Sequence, residues 1–199
     1  MLPKSAKMIQ EFLDAYKAVS GWDPYRTERT RSILSIVLEY IEGDVLEIGA
    51  HQGRTTKIFC EVGLKYNRHV FVVDPWDGRQ QGSQAAFDTF NVATTACKNL
   101  MVQRKGSEDP IVLENFQKDD VKFAFILIDG MHSYEAVKND LEKYKGLLEL
   151  HGIICIDDWH GPYGFSKAIR RAAVDHLDTN YQEFKTPDSF IEHYFIKLS

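Results

Sequence analysis

Apolar positions recur along this chain with two periods, and their alternation predicts the architecture. Short β-branched or apolar runs fall at Val45–Ile48, Val70–Val73, Leu100–Gln103, Phe123–Ile128 and Ile153–Ile156, each the length of a buried strand. The stretches between them can hold helices, and strands alternating with helices imply parallel pairing, because parallel neighbours need a crossover. Ahead of the first run, Leu2, Met8, Ile9, Phe12, Leu13 and Tyr16 lie at helical spacing. Gly21-Trp22-Asp23-Pro24 interrupts them, and Ile33, Leu34, Val37, Leu38 and Ile41 mark a second helix that stops before Gly43. The clearest helix is expected over Ser133–Leu150, with Tyr134, Val137, Leu141, Tyr144 and Leu148 on one stripe and His151-Gly152 closing it. Another follows at about Phe165–Leu177. Two β-like runs, Tyr181–Lys185 and Phe190–Leu198, then flank Thr186-Pro187-Asp188-Ser189, a connection short enough only for antiparallel neighbours. The expected fold is therefore α/β: a doubly wound, mostly parallel sheet of seven strands with a C-terminal antiparallel hairpin and N-terminal helices.

Composition narrows this further. A chain of 199 residues that is 44% apolar builds one domain with a substantial core, read here as N-terminal helices over 1–42, a possible lid, and a core over 43–199. A net charge of −5 with scattered cations argues against nucleic acid or an anionic membrane as the main partner. Cys60, Cys97 and Cys155 are too widely spaced for a zinc knuckle and odd in number, so buried free thiols are expected. Neither a signal-peptide pattern nor a long apolar run is apparent, which makes a cytoplasmic location the default expectation. The partner is expected to be a small-molecule acceptor, with homo-oligomerisation left open.

In open α/β sheets ligands lie outside the carboxyl ends of the strands, and there this sequence is unusually acidic. Strand one runs into Glu47-x-Gly49-x-x-x-Gly53, strand two into Asp74, strand four into Asp129 and strand five into Asp157-Asp158. One such carboxylate would be ordinary helix capping; acids after four of five strands point to a shared site. The glycines suit a turn over which a nucleotide-like ligand comes close to the backbone. Asp74, 25 residues beyond Gly49, stands where an acid accepts hydrogen bonds from a ribose diol, or else is a turn residue before Pro75. The compact G-x-G-x-x-G that seats a pyrophosphate is missing, so a nucleoside without phosphates fits better than a dinucleotide.

These motifs resemble those of the class I S-adenosylmethionine-dependent methyltransferases, which have a Rossmann-like fold. Glu47-x-Gly49-x-x-x-Gly53 matches their first motif and Val73-Asp74 their ribose acid. Val73-Asp74-Pro75-Trp76, Asp129-Gly130-Met131-His132-Ser133-Tyr134 and the stretch from Gly152 to Asp158 are similar to the branch of macrocin-type sugar O-methyltransferases. The resemblance covers roughly residues 43–175. It implies that Glu47, Gly49 and Gly53 shape the methionine end of the cofactor pocket, that Asp74 holds the ribose, and that Asp129 also borders the cofactor. Ser107 would line the adenine side, or else cap a helix that starts Glu108-Asp109. It further implies a magnesium ion on Asp129, Asp157 and Asp158, the common remedy for clustered carboxylates; the alternative is that Asp157 or Asp158 caps a turn. A bound cation would lower the pKa of an acceptor hydroxyl.

The sequence departs from that branch at Met131, where a further acid suited to act as general base is usual. His132 and His160 are the remaining candidates for the base, since imidazole titrates near neutrality; each could instead be structural. Trp22, Tyr25, Trp76, Trp159 and Tyr163 stand where aromatic rings could wall an acceptor, with Trp159 the one placed nearest to it. The expected activity is O-methylation of a hydroxylated sugar or natural product. An aminopropyl-type transferase on the same fold, a metal-dependent hydrolase using the aspartates, and a non-catalytic cofactor binder are the rival readings.

Overall fold

The computed structural model describes residues 7–11, 14, 27–79, 82–160, 164–184 and 192–199. Trp22, Tyr25, Tyr163 and the 186–189 turn lie outside them. After a helical segment at 7–11, the elements are α1 (Thr27–Tyr40), β1 (Asp44–Ile48), α2 (Arg54–Lys65), β2 (Val70–Val73), α3 (Gln84–Ala93), β3 (Leu100–Gln103) and α4 (Pro110–Lys118). They continue with β4 (Phe123–Ile128), α5 (Tyr134–Tyr144), β5 (Leu148–Ile156), α6 (Ser166–His176), β6 (Tyr181–Phe184) and β7 (His193–Lys197).

The seven strands form one sheet in the order β3-β2-β1-β4-β5-β7-β6. Pairings among the first five are parallel; β7 lies antiparallel between β5 and β6. Strands progress outward from β1 to β3, then the chain returns through α4 to the other side of β1, which opens a crevice between the ends of β1 and β4. Two apolar layers result. Ile33, Val37, Phe59 and Phe90 fill the face under α1, α2 and α3, and Val112, Phe116, Leu141 and Ile169 fill the face under α4, α5 and α6. All six residues of β4 are buried, as covered on both faces requires, which is why this strand reads as an unbroken apolar run.

The 133–150 expectation is corrected. Helix α5 ends at Tyr144, a 3-10 turn spans Lys145–Leu147, and Leu148 already belongs to β5. Tyr144 and Leu148 mimic helical spacing, yet Leu147 and Leu148 are both buried. His151 and Gly152 sit inside β5, where the five steps from Leu148 to Ile153 oppose the two from Phe123 to Phe125 of β4, and His151 takes a positive φ of 66°.

Candidate active site

Ladder bonds continue one residue past each central strand and fix the site residues through their backbones. Gly49 N–H donates to Val73 O (2.9 Å), Asp129 N–H to Ile48 O (2.9 Å), Asp157 N–H to Ile128 O (3.0 Å) and Asp74 N–H to Gln103 O (3.3 Å). Side-chain helix caps fall to Ser83, Asp109 and Ser133. None of these three caps is an acid at the end of a parallel strand, and Ser107 is not the cap of α4.

Both motif glycines adopt left-handed backbone, φ 86° at Gly49 and 80° at Gly53. A Cβ on Gly49 would lie 2.2 Å from the Asp129 carbonyl oxygen, and one on Gly53 would lie 2.9 Å from the Phe90 ring. Protein atoms already hold those spaces, so these glycines serve to press the first loop onto the β4 turn and onto α3. Glu47 likewise faces inward. It is 1% exposed and accepts a hydrogen bond from Thr56 Oγ1 at 2.5 Å, fastening α2 to β1. Burial pushes its carboxyl up to about 8 against the opposing pull of Thr56, with nearby Asp74 adding to the rise.

Asp74 organises the first loop. One of its oxygens accepts from Ala50 N–H (2.9 Å) and His51 N–H (3.0 Å), the other from Trp76 N–H (2.9 Å). An ionised carboxylate has about four acceptor positions, so one remains for a ligand hydroxyl. Trp76 Nε1 donates to His51 O at 2.7 Å, and its ring lies 4.8 Å from both Phe87 and Phe90. It is core rather than an acceptor wall.

Across the crevice, Asp129, His132 and Asp158 each bring a ligand atom within 4.8 Å of the others. His132 Nδ1 lies 3.1 Å from Asp158 Oδ2, and Nε2 lies 3.5 Å from Asp129 Oδ1. Nε2 is buried and makes no hydrogen bond. Asp158 holds a positive φ of 55°, costly for a non-glycine residue and characteristic of sites whose surroundings enforce a function. Asp157 is buried and stands outside this group. His132 joins Asp129 and Asp158 in this group.

His160 is half-buried and also outside the group; its ring centroid lies 6.3 Å from that of His193. Trp159 is 5% exposed and stacks on His193 at 4.1 Å with 7° between planes, so it is part of the packed core. His193 meets Glu183 Oε1 at 2.8 Å through Nε2; burial lowers its pKa, although Glu183 opposes the shift.

Sequence reasoning missed three further residues. Asp140 on α5 is buried, with Oδ1 unpartnered, and its Oδ2 would lie 3.7 Å from a Cβ on Gly130. Burial raises it to about 6 against hydrogen bonds from Ser107 and Asn139. Ser107 itself is half-buried, its carbonyl accepting from Tyr144 Oη at 2.7 Å. Arg29 and Glu192, 163 residues apart, form a buried ion pair at 2.7 Å. Two of the three carried a signal: Asp140 sits on the Val137–Tyr144 stripe and Arg29 on the Ile33–Val37 stripe, and a charge on an apolar face is informative.

Residues 46–159, more than half of the chain, match the family model of a methyltransferase domain, and the chain belongs to that family of enzymes. No curated protein matches the sequence. Its fold is shared with the calicheamicin TDP-rhamnose 3'-O-methyltransferase CalS11 at 14% identity and TM-score 0.66, over 98% of this chain and 95% of that one. It is also shared with the O-methyltransferase from Bacillus cereus in complex with SAH, at 14% identity and TM-score 0.65, over 100% and 93%. The O-methyltransferase NovP is similar at 16% identity and TM-score 0.55, over 88% and 80%. Among the described residues no helix is long and apolar enough to cross a membrane.

Proposed function

We propose that this enzyme is an S-adenosylmethionine-dependent O-methyltransferase acting on a hydroxylated small molecule, a sugar or natural-product scaffold, with a divalent cation such as magnesium beside the acceptor. The observation that carries the reading is the placement of Asp129, His132 and Asp158 across the β1/β4 crevice from the Asp74-bound loop. Cofactor and acceptor sites adjoin, as in-line transfer demands. The residues fit the cofactor: Asp74 retains an acceptor position for a ribose hydroxyl, Ser107 stands beyond β3 for the adenine side, and an acidic crevice suits a sulfonium. They also fit a cation, through the carboxylates of Asp129 and Asp158, with His132, whose Nε2 makes no hydrogen bond, left beside it. Carboxylate donors suit magnesium and manganese.

Bound there, the cofactor would supply an electrophilic methyl group, and a cation held by Asp129 and Asp158 would supply a Lewis acid for the acceptor hydroxyl. This chain's residues do the rest. Asp129 and Asp158 hold the acceptor end of the crevice, and His132, between them, takes the hydroxyl proton in place of the acid absent at Met131. His160, away from that group, is the second candidate for the base.

Calorimetry with S-adenosylhomocysteine, with and without magnesium, followed by methyl incorporation into a panel of hydroxylated acceptors, tests this. Binding of the thioether and turnover of at least one acceptor are expected, with turnover lost in Asp129→Asn. Cation binding without any affinity for the thioether would overturn the reading in favour of hydrolysis.

A further inference from the structure

The Arg29–Glu192 pair has no part in the chemistry above, yet it is the most deeply buried ion pair among the described residues, with side chains 4% and 5% exposed. Buried pairs add little net stability, because desolvating two charges offsets their attraction, so one retained in a core invites a functional explanation. Glu192 lies next to His193, which pairs with Ile156 of β5. The antiparallel β7 therefore delivers Glu192 to the end of the sheet where the parallel strands finish. There Glu192 lines a cavity of about 20 Å³ together with Asp129, Thr55, Thr30 and Tyr194, over an apolar floor around Phe59.

The size and lining of this cavity constrain its occupant. A volume near one water molecule accepts an ammonium head and excludes anything much larger. Two carboxylates and three hydroxyls face it and no cationic side chain does, so a positive group is favoured over a carboxylate. Thr55 stands in the first turn of α2, directly after the Gly49–Gly53 loop, and Asp129 directly follows β4. The cavity therefore adjoins the crevice assigned to the methionine end of the cofactor.

We infer that Glu192, held in place by Arg29 at 2.7 Å, binds the α-ammonium group of the cofactor in this cavity and so couples the N-terminal helix α1 and the last strand to cofactor recognition. The inference rests on the cofactor assignment made above. Arg29 is the positioning residue: its guanidinium fixes the carboxylate through a charge-assisted hydrogen bond.

Two ligands separate the possibilities: S-adenosylhomocysteine and the same thioether with hydrogen in place of the α-amino group. Calorimetry on the full chain is expected to show at least tenfold tighter binding of the aminated ligand. Glu192→Gln is expected to collapse that ratio toward one while leaving the affinity for the deaminated ligand unchanged. Because Glu192→Gln takes this carboxylate from the buried Arg29, the double variant Arg29→Leu/Glu192→Leu, which removes both charges, serves as the second test and should show the same collapse. A ratio near one in the unaltered protein, or an undiminished ratio in either variant, overturns the inference and leaves the cofactor assignment standing. Failure of the unaltered protein to bind either ligand removes the cofactor assignment itself.

Discussion

Replacing Glu47 by Gln isolates the energetics of a buried acid at the heart of the fold. Glu47 is 1% exposed, and burial raises its carboxyl from 4.5 to about 8. An unfolded chain ionises this group above pH 4.5, whereas the folded chain keeps the proton until about pH 8. Between those values the folded state binds one more proton, so stability falls as pH rises. The slope is ~1.4 kcal/mol per pH unit. Across the interval the loss is on the order of 5 kcal/mol, a large part of a typical domain's stability. Glutamine keeps the shape and an oxygen to accept from Thr56 but carries no titrating proton. Urea denaturation at half-unit steps from pH 4.5 to 8.5 gives the two stability curves, and their difference cancels every other titration the proteins share. Glu47→Gln should match the unaltered protein near pH 5 and exceed it by several kcal/mol near pH 8. Parallel curves would refute the assignment of a neutral, buried acid.

Gly49→Ala should cost about 3 kcal/mol or more, because φ is 86° and the new methyl would lie 2.2 Å from the Asp129 carbonyl; a urea midpoint unchanged by the substitution would contradict the close approach of loop and turn. Asp158→Gly should raise stability by ~1 kcal/mol, by releasing the 55° backbone strain, while cutting manganese affinity about tenfold or more in calorimetry. A variant that lost stability without losing cation affinity would show that Asp158 is a turn residue only.

Strand positions and the α/β order were legible because burial on both faces writes unbroken apolar runs, as in β4. The 3-10 turn and bulge before Ile153 were not, since Tyr144 and Leu148 keep helical spacing by coincidence across a change of element. At the site, Asp129 and Asp158 were legible as polar residues terminating apolar runs. That His132 would join them depended on the local conformation of the β4 turn and at Asp158, which no periodicity encodes. Glu47, Gly49 and Gly53 were recognised by their pattern, but their contacts with Thr56, the Asp129 carbonyl and Phe90 are tertiary. The Arg29–Glu192 pair spans 163 residues, a separation over which no local pattern can announce a contact.

The insertion of β7 between β5 and β6 also sets an order of events at the ribosome. Until that last segment has emerged, β5 presents a bare hydrogen-bonding rim flanked by Ile153, Ile154 and Ile156. Nascent chains in that state are ready to pair with one another, and premature termination shortly before residue 193 should yield insoluble product rather than a weakened enzyme.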